Sequence, residues 1–410
     1  MGKIYLFVLI GISVFFKTQV VNIPDANFKA YLVGNPLINT NNDNDIQISE
    51  ANAFTGTISC YSRNITNLTG IEAFVNLAEL NCANNQITSL DLSKNTFLSY
   101  LNCLSNQLTN LDLSKNTALT GLYCVYNQII NLDISKNTNL TTLLCYNNKI
   151  KNLDISQNLA LTTLSCGSNQ LTSIDVSKNT ALEGLYVDYN QLTNIDVSKN
   201  TVLTDLYCSN NQLTHLDVSQ NKDLRLLGCA FNQIKNLDIS NNIALKNLSC
   251  GSNQLTNLDV SKITNLTDLY CYSNQLKSLD LKNGQNSKIE NFSSTNNPNL
   301  TCIQVDNVDY ANSQNNWDKD QTANYDINCI LSTNDTIKKE IVISPNPVQD
   351  ILHFSEEISS VKITDVSGRL VTEILIGGKS GNFSNLAKGV YILTIITKSG
   401  EVQTKKIVKK

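Results

Sequence analysis

Two histidines occur in 410 residues, His215 and His353. Neither can be joined by spacing into a Ser/His/Asp or Cys/His arrangement, and no glycine-rich phosphate loop is present, so the usual signatures of hydrolytic and nucleotide-dependent catalysis are missing. His215 sits in "LTHLDVS", a slot that other repeats fill with Ser or Asn, and exposure to solvent is expected of it. Charge is sparse as well: 16% of residues are charged and the net charge is −4, which excludes a basic nucleic-acid surface. The balance is uneven. Residues 341–410 carry nine Lys or Arg against six acids, leaving −7 for the rest. No apolar run reaches the roughly 18 residues of a membrane span. The longest, residues 4–16 after Lys3, fits the core of a signal peptide cleaved near residue 19. The first cysteine after it is Cys60, too distant for a lipid-modified N-terminus. An exported chain with no transmembrane segment in its mature form is expected.

What the chain has in abundance is periodicity. Residues 119–139, "LTGLYCVYNQIINLDISKNTN", contain L-x-x-L-x-C-x-x-N followed by I-x-x-L-x-I-x-x-N. A cysteine recurs every 21 residues from Cys82 to Cys271, except that Val187 takes one place. Counting the Cys or its equivalent gives twelve coils, with irregular steps at both ends, as expected of the terminal coils of a solenoid. Alternation in "GLYCV" puts Leu122 and Cys124 on one face and Gly121, Tyr123 and Val125 on the other. One coil cannot bury its apolar face alone; a stack of coils builds a continuous core. The cysteines then form a column of small hydrophobes, because valine fills the same place without a partner. Asn127 and its equivalents are expected to satisfy turn backbone groups at one corner, and the series Asn95 to Asn242 at the opposite one.

The motif L-x-x-L-x-C-x-x-N-x-L resembles the leucine-rich-repeat signature over residues 58–302. Twenty-one residues leave no room for a full convex helix, so "LTNLDLS" reads as a second extended segment. The fold class expected is mainly β: a leucine-rich-repeat solenoid of about twelve coils plus a small C-terminal β-sandwich.

Residues 20–57 read as an N-terminal cap, with a short helix starting near Asp25. Within it, "NTNNDNDIQISE" aligns partly with an EF-hand-type calcium loop through Asn39, Asn41, Asp43, Asp45, Gln47 and Glu50. Asn replaces Asp at the first position and Asn44 replaces the turn glycine, so the reading adopted is a hydrated acidic turn. Calcium at this loop is the one cofactor left open; no other is expected. Residues 303–330 read as a C-terminal cap containing Trp317, with a capping disulfide between Cys302 and Cys329 suited to an oxidising environment. Residues 331–340 form a polar linker, in which Asp335-Thr336-Ile337 resembles a bacterial O-glycosylation acceptor.

Residues 341–410 are β-runs separated by Pro, Gly and Ser turns. Ser344-Pro345-Asn346-Pro347, then "DVSGRLV", "LAKGVYILTI" and the terminal "KKIVKK" resemble the C-terminal sorting domain of type IX secretion substrates. That resemblance implies passage through the periplasm, recognition by the outer-membrane type IX machinery, and secretion or display at the cell surface.

Ten stacked aspartates, Asp91 to Asp280 in steps of 21, read either as a calcium ladder or as acceptors for nearby turn N–H and Ser groups. The second reading is adopted, since the glycine-rich metal-loop pattern is absent. Residues identical in every coil serve every coil, so recognition is sought at variable outward positions. These carry Tyr100, Tyr123 and Tyr146 in the early coils. Later coils carry Tyr186, Asp188, Asp205 and Tyr207, then Asp268, Tyr270 and Tyr272. Tyrosine suits protein or glycan surfaces, although it also packs well across strands. The function expected is non-catalytic binding of a protein or glycan through this face; the alternative is a structural or adhesive surface-layer component without a discrete ligand.

Overall fold

The computed structural model describes residues 19–329, 341–366, 368–398 and 402–410. Almost all of the expected signal segment, and the linker with Asp335-Thr336-Ile337, lie outside them. The chain divides into two units, Met1–Cys329 and Ile330–Lys410. Among the described residues no helix is long and apolar enough to cross a membrane.

The first unit is a stack of short coils, each contributing one short strand to a thirteen-stranded parallel sheet. Thr57–Ser59 pairs with Glu79–Asn81, that with Tyr100–Asn102, that with Gly121–Tyr123, and so on without crossover. The register keeps like on like: Leu80, Leu101, Leu122, Leu143 and Leu164 are successive partners, all buried. The sheet has thirteen strands, one more than the repeat count. The extra one, Trp317–Asp318, lies in the segment read as a cap and pairs with Asn291–Ser293. Its coil carries Trp317 opposite Phe292 instead of the Leu and Cys of the repeat, so the periodic signal is gone while the ladder continues.

The second half of the coil forms a ladder only near the end, where Asn257–Asp259, Ser278–Asp280, Cys302–Gln304 and Asn324–Asp326 make a four-stranded parallel sheet. In earlier coils the equivalent segments run between turns without strand pairing. Alternation also fails sooner than expected. Val125 is 1% exposed, not outward. Three residues past each strand the backbone turns through a left-handed residue, such as Ser105 (φ 53°) or Asn147 (φ 53°), and the outward/inward pattern ends before it.

The amide that follows this turn holds it. Asn127 donates from Nδ2 to the carbonyls of Cys124 and Val125 in its own coil (both 3.2 Å) and of Cys103 in the preceding one (3.0 Å), while its Oδ1 accepts from Leu108 N–H (3.0 Å). The opposite corner differs from expectation. Asn137 donates to Leu113 O and Asn116 O, and Asn158 donates in turn to Asn137 O, but Oδ1 of each is buried and accepts nothing. The first series therefore uses both ends of the amide and the second uses only the NH2.

Cys60 and the nine ladder cysteines from Cys82 to Cys271 are buried and unbonded, and Val187 is fully buried in the same column. Burial pushes the thiols of Cys103, Cys166, Cys229 and Cys271 up to about 12. Cys302 and Cys329 form the expected disulfide.

The ends of the core are covered. Helix α1, Ala26–Val33, is capped by Asp25, which accepts from Asn27 and Phe28 N–H, and it buries Phe28 and Leu32 over the first coil. Helix α2, Ile48–Ala53, follows. At the other end Trp317 packs edge-on against Phe292, Tyr310 and Tyr325, and its indole N–H reaches Ile289 O at 3.1 Å. The second unit is an antiparallel sheet of five strands: Ile343–Ser344, Ile351–Asp365, Leu370–Asn382, Gly389–Thr397 and Val402–Lys409. The long strand Ile351–Asp365 is irregular between His353 and Ser360, and Val361, Ile363, Leu393 and Ile395 lie in its own separate core.

Two outcomes follow. In the native protein no ladder thiol should react with an aromatic disulfide reagent, and ten should react after denaturation without reductant. Asn127→Ala should cost about 2–4 kcal/mol, because a buried N–H and three carbonyls lose a partner together; chemical denaturation of the repeat unit measures this.

Candidate functional site

The outward side of the thirteen-stranded sheet is the surface on which coils differ. Tyr100 and Tyr123 lie 5.1 Å apart between ring centroids, and Tyr186 and Tyr207 stack at 5.5 Å with planes 16° apart. Adjacent in-register strands bring these rings together, so part of the tyrosine content is cross-strand packing. Tyr146, Asp188 and Tyr272 fall beyond their three-residue strands, on the segment that leads into the turn.

The left-handed turn position adds residues that the outward pattern did not reveal. Most coils place Ser or Asn there, which tolerate positive φ. Three place an aromatic: Tyr126 (φ 52°), Tyr189 (φ 52°) and Phe231 (φ 55°). Their side chains are 53%, 58% and 49% exposed. Tyr126 meets Tyr146 edge-on at 5.5 Å, and Phe231 meets Tyr272 edge-on at 6.5 Å. A usable signal was present in the sequence: these are the coils where the residue before the corner Asn departs from Ser or Asn.

A recess of about 510 Å³ opens on this face, walled by Tyr186, Tyr207, Phe231 and Tyr272, with Asp188 and Tyr189 at its edge. Its shape depends on two glycines. A Cβ at Gly228 would stand 2.8 Å from the Tyr207 ring, and one at Gly251 would stand 2.8 Å from the Tyr272 ring. Both rings therefore lie flat on bare backbone. Burial raises the Tyr186 and Tyr207 phenols, with Asp205 adding to the effect, so both stay neutral donors at physiological pH. Four of the ten sequence candidates gather in the recess: Tyr186, Asp188, Tyr207 and Tyr272. Tyr100 pairs with Tyr123, and Tyr146 with Tyr126, away from the recess. Asp205, Asp268 and Tyr270 share the face without lining the recess. Asp205 accepts from Thr204 Oγ1 (2.6 Å); Asp268 accepts from Thr267 Oγ1 and Asn291 Nδ2 (both 2.7 Å). Asp188 differs: burial raises its pKa and its one donor among the described residues is its own backbone N–H.

The stacked aspartates are occupied by the turn. Asp133 Oδ1 accepts Ser135 N–H at 2.9 Å, and Asp91, Asp112 and Asp196 repeat the contact, which holds their carboxyls below the ordinary value.

In the N-terminal loop the aligned residues come together, but largely around protein donors. Glu50 Oε1 accepts from Thr40 N (2.7 Å), Thr40 Oγ1 (2.8 Å) and Asn41 N (3.2 Å), and its Oε2 from Gln47 N (3.0 Å). Asp43 accepts from Asp45 N, Asn41 Nδ2 and Gln47 Nε2; Asp45 pairs with Lys29 at 2.6 Å. Asn39 donates to Val33 O and Asp43 O. Among the described residues no three His, Cys, Asp or Glu side chains gather at metal-binding range.

Against known proteins, residues 342–410 match the secretion system C-terminal sorting domain family. The matched segment is the second unit, and it indicates export to the secreted or cell-surface compartment. No curated protein matches the chain. Among solved structures, an internalin from Listeria monocytogenes is similar at 23% identity and a TM-score of 0.58, over 75% of this chain and 99% of that one. A leucine-rich-repeat protein from Leptospira interrogans is similar at 24% identity and a TM-score of 0.51, over 63% of this chain and 74% of that one. The functional domain of InlJ from Listeria monocytogenes, described as including a cysteine ladder, aligns at 24% identity over 96% of this chain and 100% of that one, with a TM-score of 0.49. The first unit thus has the leucine-rich-repeat fold.

The loop yields a pH test. Burial alone would raise the Glu50 pKa, but the N–H groups of Gln47, Thr40 and Asn41 and the Thr40 hydroxyl outweigh it and hold the pKa below the ordinary 4.5. A depressed folded value means the stabilisation is complete above 4.5 and is lost as pH falls through the folded pKa. Protection factors of amides in residues 38–53, corrected for the intrinsic exchange rate at each pH, should fall as pH drops below 4.5 and through the lowered folded pKa, and Glu50→Gln should show the low protection already at neutral pH.

Proposed function

We propose that this exported leucine-rich-repeat protein is a non-catalytic recognition protein that binds a protein or glycan ligand through the outward side of its parallel sheet, centred on the recess between Tyr207 and Phe231. One observation carries the reading: Tyr126, Tyr189 and Phe231 occupy left-handed backbone where neighbouring coils use Ser or Asn. A bulky residue there costs about 1 kcal/mol or more relative to one that tolerates positive φ. Their exposure gives back little of that cost by burial. Strain held at an exposed aromatic, beside a recess of a size common for ligand sites, is what a binding surface retains and a purely architectural repeat would lose. Repeat solenoids offer such open faces to partners, and the sorting unit delivers this one outside the cell, with the type IX machinery as its transport partner.

The trade between strain and binding makes the test specific. Tyr189→Asn, which installs the residue type other coils carry, should raise the melting temperature of the repeat unit by about 1–2 °C while lowering binding to any protein or glycan array hit at least tenfold. Hits that survive both Tyr189→Asn and Tyr207→Ala unchanged would leave the face without a recognition role and favour an architectural surface component.

A further inference from the structure

We propose that the recess takes the cationic end of a lysine or arginine side chain presented by a protein partner, seated between the aromatic walls with Asp188 as its counter-charge. The inference rests on the binding reading above and narrows it to one ligand chemistry.

The first support is the sign of the face. The outward positions of the twelve three-residue strands carry Glu79, Asp205 and Asp268 and no lysine or arginine. The left-handed turn positions that follow are also free of base. Arg225 and Lys246 stand one residue ahead of their strands, outside the recess lining. A protein surface patterned this way favours cations and repels acidic ligands.

The second support is Asp188 itself. Asp205 and Asp268 are each engaged by a neighbouring hydroxyl, whereas Asp188, half-buried at the recess edge, keeps most of its acceptor capacity open. Its carboxylate packs over Gly167, where a Cβ would approach Oδ1 to 3.1 Å, so that glycine makes room for it. A half-buried carboxylate whose one donor is its own backbone N–H is costly unless a cation arrives. The third support is the walls. Tyr186 and Tyr207 stack, and Phe231 and Tyr272 meet edge-on, so ring faces flank the opening. Aromatic faces attract ammonium and guanidinium groups, more so when the site is partly desolvated. A neutral sugar would use the same rings but would give Asp188 no charge to pair with.

The test uses the full chain and N-acetylated, C-amidated Gly-Arg-Gly-Arg-Gly carrying a fluorophore, followed by anisotropy at two salt concentrations. The lysine form is a second cationic probe; the citrulline form keeps shape and loses charge. We expect both cationic peptides to bind and citrulline to bind at least tenfold more weakly. Asp188→Asn and, separately, Phe231→Asn should each lower affinity for the arginine peptide at least tenfold. Phe231→Asn uses a residue other coils already hold at that turn, so its folding is secure. Asp133→Asn, a ladder aspartate outside the recess, should change nothing. Equal binding of the citrulline peptide, no binding of cationic peptide at millimolar concentration, or equal losses from Asp133→Asn and Asp188→Asn would each overturn the inference. A neutral oligosaccharide whose binding falls with Tyr189→Asn but not with Asp188→Asn would overturn the cation and keep the binding face; array hits indifferent to every aromatic substitution would remove both.

Discussion

Everything in the first unit depends on a buried asparagine amide that closes a tight turn once per coil. A chain that reverses direction within 21 residues strands several backbone groups inside, where each unmade hydrogen bond is costly. Asn127 and its equivalents answer with one side chain what would otherwise need a longer loop, and they do so across two coils at once. The turn can then be short, the strands can be three residues long, and leucines in successive coils fall into register. The left-handed residue just before the corner amide belongs to the same device, since it turns the chain so that the amide points inward.

This device separates inside from outside. Inward positions are near-identical because each coil is packed against two copies of itself, and a column of cysteines or a single valine fills the same narrow volume. Outward positions are released from that demand. Where they depart from the common pattern the departure has a cost, as at the aromatic left-handed residues, and the cost is local. A solenoid tolerates it because stability is distributed over many interfaces between coils. The aspartate ladder belongs to the same turn architecture: Ser N–H groups in the same turn engage those carboxylates.

The two ends and the second unit solve separate problems. Helix α1 and the aromatic group around Trp317 cover apolar coil faces that have no further coil to meet. The loop between Asn39 and Glu50 is tied by Glu50 to backbone N–H groups, which makes it a compact connector between helices α1 and α2. The second unit has its own core and matches a secretion sorting domain.

The repeat period, the buried face, the two asparagine corners, the capping disulfide and the sorting tail could all be read in the residues, because each depends on short-range pattern or on spacing repeated many times. The thirteenth strand could not: Trp317 and Lys319 stand where the repeat has Leu and Cys, and only parallel pairing reveals the coil. Nor could the failure of alternation at Val125, which depends on where a three-residue strand gives way to a turn. The recess was half visible. Its outward tyrosines follow from period two, but Tyr189 and Phe231 enter through a turn residue, and Gly228 and Gly251 matter only because rings from neighbouring coils lie over them. Sequence alone determined what each coil is, since one coil repeats the same local physics. Tertiary structure decided which side chains from different coils meet, since that depends on how far each ring reaches across about 4.8 Å of stacked backbone.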